Sequence, residues 1–306
     1  MLSFADLIRI ARPRFWLYSA WSFLIWIVAS GYFPWLIEAQ SIWIVTQSQW
    51  IVFGVIMLTF LYFLFPANLL IYGVNDIADQ DTDAFNAKKW SYEERHSAAR
   101  TQELQQAIIR WNVGSLLIIY GLFRLTSMRW STLAELLTVD FSIGLFILAA
   151  VTYSMPPIRF KARPFLDGAS NVLYIIPGLT WFFITWWTLS MLSIGGFVAA
   201  WLRAMAMHTF SAVPDIKADR QAWIETTATF LWYRRTLWYC RWVWLLATSV
   251  ALRSLPEFTT FWVVLWLLYS LVSISAMKLW AFRVYKRMPW INWIVGFVLF
   301  WMITLT

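Results

Sequence analysis

Nine apolar stretches, each about 17–25 residues long, run through the chain and leave mostly short charged links between them. A helix of that length crosses the hydrocarbon core of a membrane. With 61% hydrophobic and only 13% charged residues, the 306-residue chain has more apolar surface than a soluble core can bury. We therefore predict an all-α integral membrane protein with nine transmembrane helices. By hydropathy they lie at roughly 16–37, 50–74, 102–123, 133–153, 168–190, 192–213, 228–252, 258–280 and 289–306.

The charges of the links predict an orientation. Eighteen Lys and Arg residues lie on the side of the N-terminus and three on the opposite side, with three more inside the stretches. By the positive-inside rule, the N-terminus is cytoplasmic and, with nine spans, the C-terminus is outside. This rule also explains the net charge of +8 without nucleic acid. Twelve of the 16 acidic residues lie on the cytoplasmic side as well, and the orientation rule does not require them there. We expect the chemistry at that end.

Two groups of acidic residues follow the second and sixth stretches. The first acidic group is Asn75, Asp79 and Asp83, and the second is Asp215 and Asp219. Residues four apart share one face of a helix, where like charges repel unless a cation lies between them. An even number of helices separates the groups, so both emerge on one side of the membrane. Oxygen ligands without His or Cys suit Mg²⁺, which proteins hold with one or two carboxylates and substrate phosphates. The pattern predicts a clamp for a magnesium-bound diphosphate.

Two plainer interpretations compete with this clamp. Either group could lie in a solvated loop, although two groups with the same spacing at equivalent helix ends favour a common function. The alternating acids after Ala78 suggest a calcium-binding loop. That loop is excluded because Ala84 and Trp90 stand where it needs Gly and Glu.

A basic segment, residues 153–164, follows the fourth stretch. Its two adjacent prolines end the helix. Arg159, Lys161 and Arg163 then alternate, and in an extended chain they would point the same way and form one electropositive wall for phosphate oxygens. Some of these cations could serve only to set the orientation. The same two interpretations apply to Lys88 and Lys89.

Three charges, Arg110, Asp140 and Arg203, lie inside predicted spans, where each would cost about 2.5–3.5 kcal/mol at the bilayer centre. We predict that they pair within the bundle, Asp140 with Arg110 or Arg203, and leave open a contact with a polar group of the substrate. His208 lies near the Asp215 face of the sixth stretch. It is either a proton acceptor or a structural hydrogen-bonding residue.

These motifs resemble those of the UbiA-type membrane prenyltransferases. The family motif Asn-x-x-x-Asp-x-x-x-Asp matches the first acidic group, and Asp-x-x-x-Asp matches the second. The family segment Tyr-Ser-x-Pro-Pro-x-Arg-x-Lys matches the start of the basic segment. The resemblance implies one domain, residues 1–306, folded as a helical bundle with a central cavity and a cytoplasmic cap, where Mg²⁺ joins the acidic groups to an allylic diphosphate.

The resemblance also implies roles for individual residues. Catalysis would depend on Asp79, Asp215 and Tyr153, with Tyr153 lining the reacting centre. Lys161 would contact the diphosphate, and we expect the same of the neighbouring cations Arg159, Arg163, Arg14 and Lys88. The implied metal ligands are Asn75, Asp79, Asp83, Asp215 and Asp219.

A narrower resemblance connects the chain with the lycopene elongase branch, on segments 12–16, 72–76, 159–164 and 210–215. It implies addition of a C5 unit from dimethylallyl diphosphate to each end of a carotenoid. An aromatic prenyltransferase of quinone or chlorophyll-type lipids is the alternative, and an anion transporter is a third. The expected partners are a prenyl diphosphate, a lipophilic acceptor and the bilayer of a bacterial or archaeal cell. A complex with other isoprenoid enzymes is left open.

Overall fold

The computed structural model describes residues 2–29, 47–80, 98–126, 133–185, 191–278 and 281–305. Within these ranges the chain is helical and contains no β-strand. Its α-helices are α1 (Phe4–Ile10), α2 (Trp16–Ala29), α3 (Gln47–Leu64), α4 (Pro66–Ala78), α5 (Thr101–Thr126), α6 (Leu133–Ser154), α7 (Leu166–Ala169), α8 (Ile176–Thr185), α9 (Met191–Ala212), α10 (Ile216–Gln221), α11 (Thr227–Ser254), α12 (Thr259–Lys278), α13 (Ala281–Tyr285) and α14 (Met288–Thr304).

Three helical segments in the described part are long and apolar enough to cross a membrane: Phe53–Ala78, Pro256–Met277 and Ala281–Thr304. Large apolar side chains also cover outer faces of other helices. Leu117 on α5 is 67% exposed and Trp242 on α11 is 64% exposed. Water would not favour such surfaces, whereas lipid accommodates them. The chain is therefore an integral membrane protein with an all-helical fold. The count of nine spans stays a prediction.

Several predicted spans are broken rather than continuous. The second span is distorted at Phe65, whose φ is −112°, before Pro66 begins α4, because proline lacks the N–H that an interior position needs. The fifth span consists of α7, a 3₁₀ turn at Ser170–Tyr174 and α8. Near its start, α11 is kinked at Trp232, whose φ is 64°. Hydropathy alone cannot reveal such breaks, since the segments on both sides of each are apolar.

The buried apolar residues form two main groups, and a central cavity is lined from both. One group belongs mostly to α2–α6 and includes Phe23, Phe63 and Phe146. The other belongs to α9–α14 and includes Phe210 and Trp244. Helix α2 joins the two halves because it packs against both α8 and α14.

One of the three predicted intramembrane charges lies elsewhere than expected. Arg110 is exposed on α5 and does not lie inside the bundle. Its long side chain can instead extend along the helix toward a polar interface. Arg203 does lie inside, and its described partners are the neutral side chains of Tyr269 and Asn292. The side chain of Asp140 lies outside the described part of the structure.

A buried carboxylate fixes the start of α11 beside the cavity. Asp167 is completely buried and accepts hydrogen bonds from the backbone N–H of Thr227 (2.9 Å) and of Gly168 (2.8 Å), and from the Thr227 hydroxyl. The residues just before α11, Ile224 and Thr226, line the cavity. Asp167, on α7 just after the basic segment, therefore anchors the start of α11 and with it this part of the cavity wall.

We expect Asp167→Ala to lower the free energy of unfolding by about 3 kcal/mol, because buried donors lose a charged acceptor. Unfolding in mixed micelles would measure the loss. Asp167→Asn keeps an acceptor oxygen and should lose less. An unchanged stability in Asp167→Ala would show that Thr227 finds other partners.

Candidate active site

A cavity of about 910 Å³ receives residues of both acidic groups. Asn75 lies in the last turn of α4, and Asp79 caps this helix by donating its backbone N–H to the Asn75 carbonyl at 3.0 Å. Both residues line the cavity. The predicted one-face geometry is therefore present for this pair even though α4 ends at Ala78. The third member of the first acidic group, Asp83, lies outside the described residues.

The second acidic group enters the same cavity from the end of α9. A 3₁₀ turn, Val213–Asp215, contains Pro214 and leads directly into α10, which carries Asp219. Asp215 and Asp219 are both partly exposed and both line the cavity. Two segments far apart in the sequence thus bring carboxylates to one cavity.

Cations of the basic segment contact the first acidic group directly. Lys161 is buried, and its Nζ lies 2.6 Å from Asp79 Oδ1 and 3.1 Å from Asn75 Oδ1. Arg159 Nη2 lies 3.2 Å from the same Asp79 oxygen. The Ser154 hydroxyl donates to Asn75 at 3.2 Å. The cationic head groups therefore already lie where a negatively charged ligand would meet the carboxylates.

The predicted extended wall is wrong in its geometry. Phe160–Ala162 forms a 3₁₀ turn, and Arg159 has a left-handed φ of 43°. The cations therefore do not alternate along a strand. Arg163 is exposed, and its Nη2 donates to the Pro157 carbonyl at 3.2 Å. Two of the three cations, Arg159 and Lys161, reach Asp79 and the third does not.

A Tyr–His contact lies beside the acidic groups. Tyr153 precedes Ser154, and its Oη lies 3.3 Å from Nε2 of His208. The two rings meet edge to face, with centroids 5.7 Å apart. Both residues line the cavity, and His208 lies two helical turns before Asp215. This contact links the helix that leads to Lys161 with the helix that leads to the second acidic group.

Arg12 is a cavity residue that the sequence interpretation missed. It forms an ion pair with Asp76 at 2.6 Å, in which the two side chains are only 11% and 2% exposed. Its guanidinium lies 4.7 Å from the centre of the Tyr72 ring. In the sequence, Arg12 is a cation before the first stretch and Asp76 is an acid beside Asn75, and no pattern predicts that the two side chains form an ion pair. Arg14, the predicted diphosphate contact, lies two residues away, over the Phe15 ring. Lys88 lies outside the described residues.

The remaining lining of the cavity is mainly apolar and aromatic. A polar cluster, Arg203 with Tyr18, Tyr269 and Asn292, interrupts this lining deeper in the bundle. The cavity therefore has one end rich in carboxylates and cations and a long apolar remainder.

Comparisons with known proteins find a similar fold and similar sequences. The fold resembles a UbiA homologue from Archaeoglobus fulgidus, solved with GPP and Mg²⁺, with a TM-score of 0.59, 16% identity, and coverage of 98% of this chain and 99% of that one. The lycopene elongase/hydratase of Haloferax volcanii is 38% identical over 241 residues, 78% of this chain and 69% of the relative. That of Haloarcula japonica is 36% identical over 251 residues, 80% and 73% of the two chains. No family model matches the sequence.

The fold and its relatives define a UbiA-type membrane prenyltransferase. Within that class, the chain belongs to the lycopene elongase/hydratase family.

Proposed function

We propose that this prenyltransferase transfers a C5 unit from dimethylallyl diphosphate to the end of a lycopene-type carotenoid, with Mg²⁺ as cofactor. The observation that carries the proposal is the convergence of Asp79, Asp215, Asp219 and Lys161 on one end of a mainly apolar cavity. Such a cavity suits a charged donor head group at one end and a lipophilic acceptor in the remainder. The names of the relatives support the acceptor. The UbiA homologue has also been solved with DMAPP and Mg²⁺, which supports the donor.

The residues present fit a magnesium site. Carboxylate and amide oxygens are ligands that Mg²⁺ prefers, and both acidic groups supply them. Mg²⁺ is usually held by one or two carboxylates and completed by substrate phosphates and water. The bound ion would neutralise the diphosphate and stabilise its departure.

The protein groups then have distinct tasks. Lys161 and Arg159, already at Asp79, would hold the diphosphate oxygens by charge and hydrogen bonds. The allylic C–O bond breaks, and its electron pair leaves with the diphosphate. The terminal alkene of the acceptor attacks the allylic carbon, which forms the new C–C bond and moves the positive charge onto the acceptor. The apolar lining excludes bulk water that would otherwise trap the cation.

The adduct cation must lose a proton or gain water, and we assign His208 to this step. Its Nε2 lies beside the Tyr153 hydroxyl within the cavity, two turns below Asp215. We expect His208→Gln to lower the amount of prenylated product about 100-fold while diphosphate release falls less, because ionisation precedes the proton transfer. Product mass and released diphosphate, measured in the same reaction, would separate these effects. An equal loss of both would place His208 in donor binding instead.

The decisive experiment is a reconstitution with a panel of acceptors. The purified protein in proteoliposomes receives dimethylallyl or longer prenyl diphosphates, with lycopene or an aromatic acid, and products are identified by mass. A C5 adduct of lycopene that depends on Mg²⁺ supports the proposal. A prenylated aromatic acid would support the quinone-type alternative. Accumulation of a solute inside the vesicles without any product would indicate a transporter.

We also propose the topology that the charges predict: nine spans, a cytoplasmic N-terminus and an active site that opens to the cytoplasm, all within one domain of residues 1–306. The positive-inside distribution of Lys and Arg supports it. Accessibility of single cysteines, introduced at Ser3 and Thr259 after removal of Cys240, would test the orientation. We expect labelling from opposite sides.

A further inference from the structure

The cavity continues far beyond the acidic groups. It follows one face of α9 from Asp215 back to Gly196, with His208, Ala204 and Ala200 spaced four residues apart between them. From Gly196 to the end of α9 at Ala212 the helix rises about 24 Å, and the 3₁₀ turn to Asp215 adds about 6 Å. The total is close to the thickness of the hydrocarbon core of a bilayer, roughly 30 Å. The cavity is therefore a slot that runs the depth of the bundle.

The part of this slot beyond Arg203 is here named the distal chamber. Its walls come from the four helices α9, α11, α12 and α14 and are lined by Ala200, Thr248, Leu255, Trp262, Leu299 and Ile303. Helices α9 and α11 run antiparallel, because Gly195 near the start of α9 lies against Ser254 at the end of α11. Thr248, six residues before Ser254, therefore lies near the level of Ala200. A C5 donor anchored at the acidic groups is too short to reach this level.

The distal chamber offers aromatic faces and one cation. Trp244, Trp262 and Tyr269 are among its lining and boundary residues. Arg203 Nη2 donates to Asn292 Oδ1 at 2.9 Å, and its guanidinium lies 5.3 Å from the centre of the Tyr269 ring. In the described part of the chain, no carboxylate pairs with Arg203. A guanidinium attracts π electrons, and aromatic rings pack well against a conjugated chain edge to face or offset-stacked. These walls suit a conjugated chain.

We propose that the distal chamber binds the far half of a long, linear, conjugated acceptor, which lies end-on along the bundle with its reacting end beside Tyr153 and His208. This inference rests on the proposed function, since it deepens the identity of the acceptor. Ala200 and Thr248, which line the slot near one level from the neighbouring helices α9 and α11, determine the length of acceptor that the site accepts. A long donor tail is the competing occupant. The aromatic walls and Arg203 favour a conjugated chain over a saturated or isolated-alkene tail.

The test narrows the distal chamber with Thr248→Trp and compares it with Ser249→Trp. Ser249 is the adjacent residue and is exposed on the outer face of α11, so the second variant adds the same side chain at the same depth without entering the slot. Ala200→Phe narrows the slot from the neighbouring helix α9, and replaces Thr248→Trp in the test if that variant fails to fold. Thermal stability in detergent identifies variants that fold.

The first measurement is acceptor binding in the absence of the prenyl diphosphate. Quenching of tryptophan fluorescence reports the binding of lycopene and of a linear polyene half as long with the same terminal group. We expect Thr248→Trp to weaken lycopene binding at least roughly tenfold and to leave the short polyene unchanged. Ser249→Trp should leave both unchanged. Equal weakening for both polyenes, or none for either, would overturn the proposal.

Transfer assays separate this inference from the proposed function. If Thr248→Trp impairs long prenyl diphosphates but not long acceptors, the distal chamber holds the donor tail and the inference is wrong. If the unmodified protein prenylates no carotenoid, the proposed function fails, whereas the length preference in binding still decides the inference. If the unmodified protein binds neither polyene, the inference fails by itself.

Discussion

Replacing Asp79 by Ala, and separately Asp219 by Ala, should each lower prenyl transfer by at least about 100-fold, because each removes a carboxylate from one side of the proposed diphosphate clamp. The two residues belong to different acidic groups, so neither can substitute for the other. Product formation at saturating Mg²⁺ measures the effect. Chelation of the metal should abolish transfer in the unmodified protein as well.

Three further measurements sharpen this prediction. Glu225→Ala removes an exposed carboxylate near the second acidic group that does not line the cavity, and activity should remain. Asp79→Asn keeps the shape of the side chain and should be nearly as inactive as Asp79→Ala. Because Asp79→Ala also releases Lys161, the diphosphate can still bind while turnover is lost, so kcat should fall more than KM rises. Substantial transfer by either Ala variant would contradict the clamp.

Replacing Arg12 by Met should lower the free energy of unfolding by about 3–5 kcal/mol, because it removes a cation that contacts the buried Asp76 carboxylate at 2.6 Å. The pair joins the segment before α2 to α4 across 64 positions of sequence. Its loss should also displace the end of α4, where Asn75 and Asp79 lie, and reduce activity. Unfolding in mixed micelles and transfer assays on the folded fraction measure the two effects.

A matched control exists within the same segment. Arg9 pairs with Asp6 on the surface, where the Arg9 side chain is 61% exposed, and Arg9→Met should cost less than about 1 kcal/mol. Adding Asp76→Asn to Arg12→Met removes the buried charge and should recover part of the lost stability. If Arg12→Met is no more harmful than Arg9→Met, the buried pair does not fix α4.

The sequence was sufficient to predict the all-helical membrane fold and the positions of Asn75, Asp79, Asp215 and Asp219 at one cavity. Hydropathy reports the spans because lipid requires long apolar helices. A spacing of four residues predicts that two side chains share one face of a helix. Both signals are local, so they can be read without knowing how helices pack.

Other features depend on contacts between distant residues, which leave no local signal. Arg12 meets Asp76, and Arg203 meets Asn292, only because particular helices pack together. The direction of the Arg163 side chain depends on the left-handed φ of Arg159. The sequence does not indicate this conformation, because residues other than glycine rarely adopt a positive φ. The prediction of an extended basic wall failed for this reason.

The proposed clamp residues, Asn75, Asp79, Asp215 and Asp219, all occupy one end of the slot. A symmetrical lipid held end-on can therefore react at one terminus per visit. To be modified at the other terminus, it must dissociate, reverse its direction in the bilayer and enter again. The once-modified lipid is then a free membrane species, open to capture by competing enzymes, and its share of the total product should rise as lipid outnumbers protein.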